Sequence, residues 1–115
     1  MIDHILSTLS RHRFSLTNEK KTQEEIEAAL TEAGIPVSRE VRLTASDVID
    51  FVCADTIGIE CKIRGSKMDI YRQVERYAQH DSISTLILVT NVPTGFPEEI
   101  NGKPVYLVNL AKAWL

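Results

Sequence analysis

The stretch "IDFVCADTIGIECKI", Ile49 to Ile63, decides the fold. Two runs rich in β-branched and aromatic residues flank Ala54, Asp55 and Thr56, the pattern of two strands joined by a short turn. Side chains alternate across a strand, so parity sorts the residues into faces. Ile49, Phe51 and Cys53 share one side, with Ile57, Ile59, Cys61 and Ile63 as their partners; these seven are the expected core face. Asp50, Val52, Gly58, Glu60 and Lys62 then point the other way, so all three charges lie together. With a three-residue loop, Cys53 faces Ile57, Phe51 faces Ile59, and Asp50 lies across from Glu60. Opposed Cβ atoms are about 4.5–5.5 Å apart, and like charges at that distance are destabilising. Something positive must compensate, either Lys62 or a divalent cation between the carboxylates. Gly58 is expected to leave open space there for a ligand or backbone.

Outward from this hairpin, Ile2, Ile5, Leu6 and Leu9 recur at helical spacing and predict a short helix ending near Arg11 to Arg13. Residues 1–14 read as an N-terminal helical appendage. "TNEKKTQEEIEAALTEAG" predicts a second helix that Thr17 or Asn18 caps and Gly34 stops, with Pro36 enforcing the exit. Its buried stripe is Ile26, Ala29, Leu30 and Ala33. Glu19, seven residues before Ile26, falls about 20° from the stripe centre at ~3.6 residues per turn, so it faces inward at the helix start. Val37 to Leu43 predicts a strand with Val37, Arg39, Val41 and Leu43 on one side. Ser66 with Asp69 opens a helix whose apolar stripe is Ile70, Val74, Tyr77 and Ala78. "STLILVT" predicts a strand buried on both faces, and a Pro/Gly loop leads to a last strand at Val105 to Val108. The order α-α-β-β-β-α-β-β predicts an α/β sandwich around a mixed sheet.

The chain of 115 residues, 43% hydrophobic, is read as a single domain, 1–115. Its size allows it to bury roughly 65% of its unfolded surface. A formal charge of −3 argues against a polycation that coats nucleic acid or membrane. Cys53 and Cys61 sit in strand-like sequence and read as small buried hydrophobes of a reducing compartment. The first residues carry Asp3 and His4 where a signal peptide carries Lys or Arg, and no apolar run is long enough to span a membrane. The expected location is the cytoplasm.

Asp50 on one strand and Glu60-x-Lys62 on its neighbour resemble the PD-(D/E)XK nucleases, the restriction-endonuclease-like fold. "IDF" and "IECKI" stand for the two halves of the motif, with Ile49 at a position that is often not proline in this family. The succession helix, three strands, helix, strand from about Asn18 to Thr90 is similar to that fold's common core. Gln73-x-x-x-Tyr77 in the following helix resembles the extra motif of the RecB-like branch, and helical spacing puts both residues on one side. Small members of the resolvase and VRR-NUC type place a metal-assisting Glu in the preceding helix; Glu19 is the candidate and Glu25 its rival. Each has an ordinary reading too, Glu19 as an acid favoured by the helix dipole and Glu25 as part of a Thr22-x-x-Glu25 capping box.

The resemblance implies a Mg²⁺- or Mn²⁺-dependent deoxyribonuclease, with Asp50, Glu60, Glu19 and the backbone carbonyl of Cys61 as metal ligands. Hard oxygen ligands suit either ion. Lys62 is expected to polarise the attacking water or stabilise the phosphate, Gln73 to steady Lys62 or the phosphate, and Tyr77 to back up Gln73. Arg64, Lys67, Arg72 and Arg76, with Tyr77, are the expected DNA-binding rim. The alternative for that helix is a solvated face laced with Asp69 and Glu75 ion pairs. The sequence leaves no room for a recognition module, so selectivity for DNA structure is expected over sequence specificity. A homodimer is expected for two-strand cutting. The competing expectations are a noncatalytic nucleic-acid-binding or interaction module, and a nuclease subunit that needs a partner protein. His80 reads as a helix cap, and Trp114 and Leu115 as packing residues or a dimer contact.

Overall fold

The computed structural model describes all 115 residues. The elements follow in the order α1 (Ile2–Arg11), α2 (Glu19–Glu32), β1 (Val37–Arg42), β2 (Val48–Cys53), β3 (Ile57–Lys62), α3 (Lys67–Tyr77), β4 (Thr85–Thr90), β5 (Glu99–Ile100) and β6 (Lys103–Asn109), with a closing 3₁₀ turn at Leu110–Trp114. The six strands form one mixed sheet in the order β1-β2-β3-β4-β6-β5. β1, β2 and β3 are antiparallel neighbours, whereas β3, β4 and β6 run parallel, with α3 as the crossover from β3 to β4. No helix is long and apolar enough to cross a membrane.

Local chemistry sets the element ends as expected. The Asn18 side chain accepts the Lys21 amide at 3.1 Å and caps α2, and Gly34 leaves the helix at φ +77°, a left-handed conformation that costs glycine little. The Ser66 hydroxyl accepts the Asp69 amide at 3.1 Å at the start of α3. The pairs Phe51–Ile59 and Cys53–Ile57 give the β2–β3 register expected for a three-residue turn. One strand lay outside expectation: β5, two residues long, pairs with the start of β6.

The sheet is covered on both faces. Against α1 and α2 lie Phe51, Cys53, Ile57, Ile59, Cys61 and Ile63 with Ile26, Leu30, Ile87 and Val89. Against α3 lie Ile49, Val52, Ile70, Val74, Tyr77, Ile83, Leu86 and Leu88. Each fully buried aliphatic or aromatic side chain favours folding by about 1.5–3 kcal/mol relative to exposure. The two faces therefore bind both helix layers to one sheet. α1 is no appendage, because Ile5 and Leu9 are at most 1% exposed within the first cluster, together with Phe14.

Parity fails at one place. Ile49 packs on the α3 face while Phe51, two residues on, packs on the α2 face. β1 makes the same exchange: Val37 packs with the first cluster, and Val41 and Leu43 with the second. The change falls at Glu40, whose φ is +49°, opposite Asp50 in the register. A non-glycine residue in that conformation turns the strand, and the residues beyond it present the other face. Gly58 consequently has no open space beside it. A Cβ there would lie 2.6 Å from Ile49 Cδ1, 3.2 Å from Leu86 Cδ2 and 3.3 Å from Ile83 Cδ1, so the glycine admits Ile49 rather than a ligand.

Candidate active site

Three carboxylates and one lysine meet where β2, β3 and the first turn of α2 come together. The paired residues of β2 and β3 end at Phe51–Ile59, and beyond that point side chains take up backbone amides. The Cys61 amide donates to Asp50 Oδ2 at 2.8 Å, and the Asp50 amide donates to Glu60 Oε1 at 3.3 Å. Glu19 reaches the end of β3 from α2, its Oε1 accepting the Ile63 amide at 2.9 Å. Glu25 is turned elsewhere and accepts the Ser15 amide at 2.8 Å, so of the two acids of that helix Glu19 is the one that reaches β3. Thr22 is fully buried and its hydroxyl donates to the Ser15 and Asn18 carbonyls, so it opens no later capping box.

The local charge balance is negative. Lys62 Nζ lies 3.4 Å from Glu60 Oε2 and is the one basic group in ion-pair contact with these acids. Glu60 is only 3% exposed. Burial, followed by the nearby Asp50 charge, pushes its pKa up to about 8 against the pull of Lys62. Burial likewise raises Asp50, with Glu19 adding to the shift, while the Cys61 amide and Lys62 oppose it. The Cys61 thiol is raised first by burial and then by Asp50, Glu19 and Glu60, so all three acids act on one place. Cys61 itself is fully buried, its side chain on the α2 face as parity requires.

Glu19, Lys62, Ile63, Arg64 and Thr17 line an open cavity of about 350 Å³ at this point. The acids do not form a finished metal cage. Glu19, Asp50 and Glu60 lie near one strand end with a single lysine in ion-pair contact with them, and Asp50 and Glu60 are largely out of water. A divalent ion would hold Asp50 and Glu60 in the charged form that burial opposes.

α3 supports the site without touching its lysine. The Gln73 amide donates to the Tyr77 hydroxyl at 2.8 Å, and that hydroxyl donates to the Val48 carbonyl at 3.0 Å, just before Asp50. Gln73 and Tyr77 are thus paired as expected, but their contact is with the β2 backbone and not with Lys62. Tyr77 is 1% exposed, which removes it from the DNA-binding set. Burial, then Glu60 and Asp50, raise its hydroxyl pKa.

The expected basic rim divides. Arg64 lines the site cavity, and its guanidinium donates to the Thr17 carbonyl at 3.4 Å. Arg76 pairs with Asp47 at 3.2 Å. Lys67 and Arg72 are exposed and pair with neither Asp69 nor Glu75. At ~100° per residue, Lys67 falls roughly 140° from Arg72 and 180° from Arg76 around the helix, so the three make no single stripe.

Other contacts were not legible in the sequence. The Thr90 hydroxyl donates to the Lys62 carbonyl at 2.6 Å and fixes the end of β3 from β4. Asp47 accepts from Arg76 and lies 3.2 Å from His80 Nε2, so His80 ties α3 to the turn before β2 rather than capping its helix. No family model, curated protein or solved structure was found to match the chain.

Proposed function

We propose that this protein is a metal-dependent nuclease that hydrolyses phosphodiester bonds in DNA, built on a restriction-endonuclease-like core. One observation carries the reading: Glu19, Asp50, Glu60 and Lys62, drawn from three elements, meet at one strand end with an excess of negative charge. An ordinary surface ion network needs neither a 3%-exposed glutamate nor a helix acid reaching 44 residues along the chain. The antiparallel β2–β3 hairpin, the α3 crossover and the parallel β4 agree with the core that the motif resemblance implies.

Glu19, Asp50, Glu60 and the Cys61 carbonyl would hold Mg²⁺ or Mn²⁺, which when bound neutralises phosphate charge and acidifies a water. Lys62 orients that water or stabilises charge building on the phosphate. Gln73 and Tyr77 act through the Val48 carbonyl, which precedes Asp50 on β2, and are positioning residues. Arg64 at the cavity rim takes a flanking phosphate.

The test is cleavage of single-stranded, duplex, flapped and four-way-junction DNA with Mn²⁺ or Mg²⁺. Wild type should cut, and Lys62→Ala and Asp50→Ala should each lower the rate at least about 100-fold while keeping their fold. Cutting that survives both substitutions contradicts the assignment. A second reading, a noncatalytic nucleic-acid-binding module on the same fold, is favoured by one feature, that every carboxylate of the set accepts a backbone amide. Folded wild type that binds DNA but cuts none of the panel would decide for it, or for a nuclease subunit that requires a partner protein.

A further inference from the structure

A second cavity, also of about 350 Å³, adjoins the candidate active site, and Thr17 lines both. Arg13, Ser15, Leu16, Lys21, Glu25 and Trp114 form its other walls. Its volume is at the small end of the roughly 300–1,000 Å³ typical of ligand sites. Trp114 is held in place and about half exposed, with Arg13 over its ring. The indole N–H donates to the Phe14 carbonyl at 3.0 Å, the Arg13 guanidinium lies 5.8 Å from the ring centroid, and the residue is 49% exposed. Arg13 is itself fixed by donating to the Ala113 carbonyl at 2.9 Å. Lys21 is exposed, and its ammonium is in neither an ion pair nor a hydrogen bond. The one acid in the cavity, Glu25, is engaged by the Ser15 amide.

An anchored, half-exposed aromatic ring flanked by two cations is the chemistry of a single-stranded nucleic-acid platform, where a base stacks and its phosphates meet the charges. Arg64 continues the basic edge through its bond to the Thr17 carbonyl into the active-site cavity. We propose that the cleft of Arg13, Lys21 and Trp114 binds an unpaired nucleotide of DNA next to the scissile phosphate. Trp114 stacks on the base, Lys21 and Arg13 hold its phosphates, and the preferred substrate carries a single-stranded segment. This rests on the nuclease reading for what lies beside the cleft. A base pair inside a duplex is stacked on both sides and offers no free face to the indole, so the cleft selects against the duplex interior.

Trp114 is the one tryptophan of the chain, so its emission reports on this cleft alone. Metal-free protein at low salt is titrated with short oligothymidylate while Trp114 emission is recorded. Binding is followed independently by anisotropy of a labelled copy. Expected are quenching that saturates with the anisotropy, no quenching by covalently closed circular duplex, and roughly ten-fold weaker binding by Lys21→Glu and by Trp114→Ala. Trp114→Phe should recover part of the loss. Lys21→Glu is safe for the fold, since an acid in the first turn of α2 suits the helix dipole. Absence of binding, binding without quenching, equal quenching by duplex, or a Lys21→Glu variant that binds like wild type each overturns the proposal. Metal-dependent cutting is measured on the same preparation. Quenching with no cutting sinks the reading of a nuclease that acts alone and leaves the cleft; cutting with no quenching sinks the cleft alone.

Discussion

Glu60 is a carboxylate 3% exposed beside a second carboxylate, a placement that burial opposes. Its folded pKa, about 8, stands above its ordinary 4.5. In metal-free protein the folded state thus binds a proton more tightly than the unfolded state, and stability falls as pH rises between those values. Thermal melts with a chelator from pH 5 to pH 8 should show this decline. Glu60→Gln should flatten it, and Mn²⁺ should flatten it in wild type; a flat wild-type profile without metal would contradict the electrostatics. At this scale the sequence was informative where periodicity governs. Helical spacing placed Glu19 toward the sheet, and the Ile63 amide meets it there. Spacing did not exclude Glu25, because both acids lie in a helix whose start depends on which residue caps it, and only Asn18 does.

The β2–β3 hairpin owes its irregularity to a neighbour. Strand parity gave the Phe51–Ile59 register and the common face of Asp50, Glu60 and Lys62, but misplaced Ile49, Val41 and Leu43. A glutamate with positive φ leaves no mark in sequence, unlike the glycine that usually fills such a site. Gly58 is the matching concession, since it makes room for Ile49. Gly58→Ala should therefore destabilise the protein by about 1–2 kcal/mol in denaturant melts and disturb Asp50 next to the displaced Ile49. An unchanged midpoint would show that Ile49 moves aside freely. Asp47 joins α3 to the start of β2 through Arg76 and His80. Burial alone would raise its pKa, but its bonds to His80 and Arg76 prevail and hold it below the ordinary 3.8. Its contribution is complete above that value and disappears as pH falls through the folded pKa. Asp47→Asn should cost about 1 kcal/mol at pH 7 and progressively less as pH falls below the ordinary 3.8. A difference between the two proteins that persists in acid would assign the effect to packing.

At the scale of the molecule, the order of elements was readable from hydrophobic period and turn residues, because each signal is local. The place of β6 beside β4, and the two-residue β5 at the sheet edge, depend on long-range pairing that no local pattern encodes. The same limit explains the termini. Amphipathic α1 was read as an appendage, yet its apolar side completes the core, while Leu115 is 98% exposed rather than packed. With a net charge of −3, the proposed DNA binding would rest on local groups, and through Arg64, Arg13 and Lys21 it should weaken between 50 and 200 mM salt. A salt-independent affinity would remove these cations from the contact. The proposed function requires that Glu19, Asp50 and Glu60, which meet backbone amides near one strand end, receive a divalent cation. Isothermal titration of folded, metal-free protein with Mn²⁺ tests it most directly. Expected is saturable binding by wild type that Asp50→Asn abolishes and Glu19→Gln weakens, each variant keeping its fold. No binding by wild type, or binding that Asp50→Asn leaves intact, would contradict it.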